Sequence, residues 1–102
     1  MNRFRVFVTP AAWNEIKGLP GNFRQRVKKV IDEFANDPRP SQSRPLEVAG
    51  VEFEVRRFRM DPWRILYLVS EEEKTVDVLA VRKRPPYDYG DLERLLAPDS
   101  GP

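Results

Sequence analysis

The sequence predicts an α+β fold, in which a helical hairpin packs on one face of a small, mostly antiparallel sheet in the order β-α-α-β-β-β, followed by a short C-terminal helix. Three observations predict it. A period-2 apolar run near the N-terminus is followed by two amphipathic stretches at helical spacing. After a proline-rich break come three strand-like runs joined by short turns, and short connections between successive strands imply an antiparallel meander. Helices segregated to one side of such a sheet define the α+β class.

Phe4, Val6 and Val8 alternate with Arg3, Arg5 and Phe7, so residues 3–8 read as a strand. Thr9 is placed to cap a helix, with Pro10 at its first position, Trp13 and Ile16 as apolar contacts and Gly18 as its stop. Trp13 reads as a core residue, with an exposed contact for a partner as the alternative. Leu19-Pro20-Gly21-Asn22 makes a tight connection. Phe23, Val27, Val30, Ile31 and Phe34 then share one stripe, which gives a second helix over about 21–36. Its opposite face, Arg24, Gln25, Lys28, Lys29 and Asp32, reads as solvated. Residues 36–45 form a polar loop whose prolines cannot continue the helix. Strands follow over Val51 to Met60, Trp63 to Ser70 and Thr75 to Lys83, with turns at Asp61-Pro62 and at Glu71 to Lys74. Ile65 to Val69 is apolar on both faces and marks a central strand. Asp88 caps a last helix carrying Leu92, Leu95 and Leu96; the single domain spans 1–97, and 98–102 form a frayed tail.

Composition narrows the chemistry. At 102 residues the chain is one domain with a modest core. It contains no cysteine and no histidine, which removes disulfides, thiolate chemistry, the usual zinc sites and imidazole acid/base catalysis; no metal and no cofactor is expected. No apolar run approaches the roughly 20 residues that span a bilayer, and the N-terminus has no signal-peptide core. A soluble cytoplasmic protein is expected, with no membrane partner. The net charge is only +2, so its distribution is more informative than its total.

Arginines gather where a sheet built only to pack would not need them. Arg56, Arg57, Arg59 and Arg64 fall on the first hairpin, and Arg82, Lys83 and Arg84 end the third strand before Pro85, Pro86, Tyr87 and Tyr89. Alternation puts Arg57 and Arg59 on one face, with Arg64 able to lie beside them across the turn; Arg56 falls on the other face. Glu52, Glu54, Asp61 or Asp77 could neutralise individual arginines as structural ion pairs. Clustering favours an anionic, phosphate-bearing partner over a small-molecule substrate, because the planar guanidinium binds phosphate oxygens two at a time.

Taken in order, Arg57-Phe58-Arg59, the short turn, Trp63-Arg64-Ile65-Leu66-Tyr67, the acidic turn Glu71-Glu72-Glu73, the strand Val76 to Val81, Lys83-Arg84 and Tyr87 resemble the RelE/ParE superfamily of bacterial toxin-antitoxin toxins. The N-terminal half is similar in order and spacing, through Phe7-Val8-Thr9-Pro10-Ala11-Ala12, Leu19-Pro20, the amphipathic helix, Asn36-Asp37-Pro38-Arg39-Pro40 and Arg44-Pro45-Leu46. The resemblance runs from Arg3 to about Leu96, and its specificity lies in the succession of motifs, each degenerate by itself. It implies a RelE-like toxin that enters the ribosomal A site and cuts mRNA without a metal, by attack of a ribose 2′-OH on the adjacent phosphate. That chemistry needs a base, an acid and cations for the developing charge. Carried over by position, Arg57, Arg64 and Arg84 grip and stabilise phosphate, and Tyr87 or Tyr89 stacks on or orients the nucleotide. Packing of either ring against the last helix is the alternative. Arg56, Arg59, Arg82 and Lys83 add RNA-binding charge. A cognate antitoxin, the ribosome and mRNA are the implied partners.

The chain also departs from the family pattern. Val55 stands where ribonuclease members often carry another lysine, and Arg56 replaces it only through a bulge or register shift. Arginine, with a pKa of about 12.5 or above, is a poor base, which leaves Glu54, Asp61, Lys83, Tyr87 or Tyr89 as proton carriers. Arg82 and Pro85-Pro86 replace the commoner Gly-basic-Arg pattern. Three readings follow: a ribosome-dependent endoribonuclease, a ParE-like DNA gyrase inhibitor on the same fold, and a basic binding module that has lost catalysis.

Overall fold

The computed structural model of the chain describes residues 3–83. Its elements are β1 (Arg5–Val8), α1 (Pro10–Lys17), α2 (Gly21–Glu33), β2 (Ser43–Pro45), β3 (Glu54–Met60), β4 (Trp63–Ser70) and β5 (Thr75–Lys83). The strands form one sheet in the order β1-β5-β4-β3-β2. β1 runs parallel to β5 and every other pair is antiparallel. The expected meander is therefore β3-β4-β5, and the doubly apolar β4 is central.

Local chemistry sets the helices. The Thr9 hydroxyl accepts the Ala12 N–H at 3.1 Å, satisfying one of the donors that a helix start leaves open, and Pro10 supplies the preset φ of the first turn. Ala12 and Ile16, four apart, bury the inner stripe of α1, and Val27 and Ile31 do the same for α2. Phe34 caps α2, stacks on Tyr67 at 4.1 Å between ring centroids and meets Phe58 edge-on at 5.8 Å. The Tyr67 hydroxyl donates to the Pro38 carbonyl at 2.8 Å, which ties the loop after α2 to the centre of the sheet.

Several boundaries differ from expectation, each for a visible reason. Phe4 is buried, yet its N–H donates to the Ala35 carbonyl at 2.8 Å rather than to a strand, so β1 starts at Arg5. α2 stops at Glu33, and residues 34–36 form a turn. β3 begins at Glu54, not Val51. The expected loop 36–45 contains an edge strand, β2, where Pro45 is tolerated because an outer strand need not donate on its solvent side. Trp13 is not a core residue: it is 42% exposed, with the Lys28 ammonium 5.6 Å from its ring. The expected C-terminal helix at Asp88 to Leu96 and the tail 98–102 lie outside the described residues.

Alternation gives the two sheet faces different chemistry. Phe58, Met60, Ile65, Tyr67, Val69, Val76, Val78 and Val81 belong to the main core, with Ala12, Ile16, Val27 and Ile31 from the helices. On the second face Leu66 and Ala80 form a smaller cluster beneath Leu46 and Val48. Arg44, Arg57, Arg59 and Arg64 occupy that second face, toward the Asp61-Pro62 turn, whose peptide bond is cis.

Candidate functional site

Register brings four arginines together. Arg59 lies opposite Arg64, and Arg57 lies between Leu66 on β4 and Arg44 on β2, so the four side chains leave the sheet from one face. With Ser41 and Gln42 they line a polar cleft of about 320 Å³.

Cations this close repel unless something offsets them, and Asp61 does so at the hairpin turn. Arg64 Nη1 donates to Asp61 Oδ1 at 2.9 Å and to the Trp63 carbonyl at 2.9 Å; Arg59 Nε donates to Asp61 Oδ2 at 3.1 Å. Arg64 is only 6% exposed, whereas Arg59 is open to solvent. The site thus combines one guanidinium buried in the sheet with another exposed to solvent. Hydrogen bonds from Arg59, then Arg64, hold the Asp61 carboxyl below its usual range. Asp61 is therefore a counterion and a weak base, since a strong conjugate acid takes up a proton poorly.

The other expected residues separate. Arg56 is on the helix side, opposite Tyr67, where it donates to Ser43 Oγ at 3.0 Å and to Glu54 at 3.2 Å. Its charge fastens β2 to β3, on the face away from the cleft that strand alternation had assigned to it. Glu54 shares that side and accepts two 2.8 Å hydrogen bonds from Arg39; chiefly the Arg39 hydrogen bond, and secondarily Arg56, lowers its pKa against the opposing effect of burial. Arg82 is opposite Arg64 in register but is held by Glu15 on α1, whose other carboxylate oxygen accepts the Val81 N–H at 2.8 Å. It does not line the cleft. Lys83 is opposite Trp63, at the exposed end of β5. Arg84, Tyr87 and Tyr89 lie outside the described residues.

Val55 is 2% exposed and faces Leu68. Pairing along β3 and β4 runs without a shift from Glu54 to Met60, so Arg56 does not move into that position. Arg44 is the cleft arginine that sequence reasoning did not select as a site residue. Its signal was the Arg44-Pro45 pair, an edge-strand ending that places Arg44 beside Arg57. Among the described residues no group of three or more histidine, cysteine, aspartate or glutamate side chains could hold a metal ion.

Residues 6–85 match the family model of the ParE toxin of type II toxin-antitoxin system, parDE. The chain belongs to this family, within the RelE/ParE superfamily. All four cleft arginines of this ParE-family toxin fall inside the matched segment. Its fold is similar to that of the RelBE2 toxin-antitoxin complex of Mycobacterium tuberculosis, with 23% identity and a TM-score of 0.69 over 80% of this chain and 99% of that one. It is also similar to the archaeal RelE-RelB complex of Pyrococcus horikoshii, at 22% identity and TM-score 0.73 over 85% and 100% of the two chains. The isolated RelE toxin of Escherichia coli matches at 22% identity and TM-score 0.64, over 91% and 99%. No curated protein gives a significant sequence match.

Proposed function

We propose that this toxin, paired with a cognate antitoxin in the cytoplasm, grips mRNA in the ribosomal A site and cleaves it by 2′-OH attack on the adjacent phosphate. The four-arginine cleft carries this reading. Guanidinium groups suit an oxyanion whose charge grows during reaction, and donors already fixed in place stabilise that charge without reorganising. Arg64 fits that description, because burial and its bonds to Asp61 and the Trp63 carbonyl orient it before any ligand arrives. Arg44, Arg57 and Arg59 supply the grip around it. Glu54 is turned away and Asp61 is a weak base, so the proton transfers fall to Lys83, Tyr87 or Tyr89. The toxin-antitoxin complexes of similar fold support the antitoxin partner. A purified translation reaction with primer extension across A-site codons tests the reading: the protein introduces new 3′ ends in mRNA only when ribosomes are present.

A second reading, inhibition of DNA gyrase, is favoured by the match to the ParE family model. A supercoiling assay separates the two. Loss of gyrase activity with intact A-site mRNA selects gyrase inhibition.

A further inference from the structure

The arginine cleft continues around the rim of the sheet. β2 starts at Ser43, and just before it the Gln42 carbonyl accepts the Arg59 N–H at 3.1 Å, so the chain leaves the β3 edge beside Arg59 and Met60. There a second cleft, of about 520 Å³, opens between the hairpin and α2. It shares Gln42 and Arg59 with the first. Its outer wall carries Arg26 and Lys29, exposed on α2, and its inner wall is apolar, formed by Val30, Phe58 and Met60. Together the two clefts are lined by six cations, Arg26, Lys29, Arg44, Arg57, Arg59 and Arg64, and by one carboxylate, Asp61.

We infer that Arg26 and Lys29 extend the phosphate site into a track for single-stranded RNA, which bends around the sheet edge at Gln42 from the arginine cleft onto α2. The inference rests on the RNA-gripping reading of that cleft. A row of cations beside an apolar wall matches single-stranded nucleic acid, whose backbone needs counter-charge and whose bases have apolar faces. One cation cluster alone would hold a single phosphate. The second cleft, adjoining the first at two shared residues, provides for nucleotides flanking the one held by Arg64. The charges on α2 thereby acquire a use that helix solvation alone does not give them.

Oligonucleotide length tests the track. Fluorescein-labelled 2′-O-methyl oligouridylates, which have no free 2′-OH and cannot be cut, are titrated by anisotropy against the wild-type protein freed of its antitoxin. A trimer and a nonamer are compared over a range of salt. The nonamer binds more tightly, and Arg26→Ala/Lys29→Ala removes that gain by roughly tenfold while leaving trimer affinity unchanged. Its salt slope falls by about 1.4, two phosphate contacts at about 0.7 each for single strands. Both side chains are exposed, so circular dichroism shows a retained fold. A nonamer gain that survives the double substitution, or a nonamer that binds no more tightly than the trimer, overturns the track. Failure of Arg64→Ala to weaken trimer binding instead overturns the reading of the cleft, whatever α2 does. A polyglutamate peptide that binds as tightly as the nonamer, with the same dependence on Arg26 and Lys29, reassigns the surface to an acidic protein partner and also overturns the track.

Discussion

Arg64 and Asp61 show how one pair can build a site and weaken a possible catalyst. The carboxylate that lets arginines converge is, by the same hydrogen bonds, made a weaker base. Its sign for stability follows. The folded pKa lies below the ordinary 3.8, so the stabilisation is fully present above that value and is lost as pH falls through the folded pKa. Asp61→Asn should therefore be less stable than wild type at pH 7, and the difference should shrink as the pH drops below 3.8. Denaturant melts at both pH values check this; a gap independent of pH would contradict it. Strand alternation was enough to separate Arg57, Arg59 and Arg64 from Arg56 in the sequence. Glu54 was already a candidate counterion in the sequence, and it pairs with Arg56; the added contacts of Ser43 and Arg39 were not legible, because both lie on the segment after α2, whose path depends on tertiary contacts rather than on local periodicity.

Among the elements, β4 and β5 were the most legible, since long apolar runs bounded by turn residues leave little freedom in their limits. The three-residue β2 was the least, because a strand so short is defined by its partner β3 and its three prolines upstream and within it read as a loop. The Tyr67 hydrogen bond to Pro38 is part of what holds this segment in place. Tyr67→Phe leaves the buried carbonyl without that donor and should cost about 1 kcal/mol, which lowers Tm by roughly 4–8 °C for a domain of this size. An unchanged Tm would show that the loop is held otherwise. On β5 the effect is reversed at Asp77, opposite Leu68 and Phe7, where burial first and Glu73 second raise its pKa. An acid that is weaker when folded opposes folding once the pH exceeds its unfolded pKa near 3.8. Asp77→Asn should accordingly be more stable than wild type at neutral pH, with the gain vanishing below 3.8; equal denaturation midpoints at pH 7 would contradict this.

For the molecule as a whole, the small net charge of +2 conceals a strong separation. One sheet face is covered by helices, and the other gathers Arg44, Arg57, Arg59 and Arg64 at one end, so the fold creates a polarity that composition does not express. The fold class was readable because helix and strand periods change cleanly along the chain. The target is less legible, because one fold serves different targets and the site alone distinguishes them. On the proposed reading, Arg64 stabilises the phosphate being cleaved on the ribosome. The most direct measurement is single-turnover cleavage of A-site mRNA in a purified translation reaction, comparing wild type with Arg64→Ala and Arg64→Lys. A loss of about 100-fold or more is expected for alanine, with little recovery with lysine, whose point charge lacks the planar fork, and a modest fall in Tm for both. Wild-type cleavage rates in the folded alanine variant would contradict it.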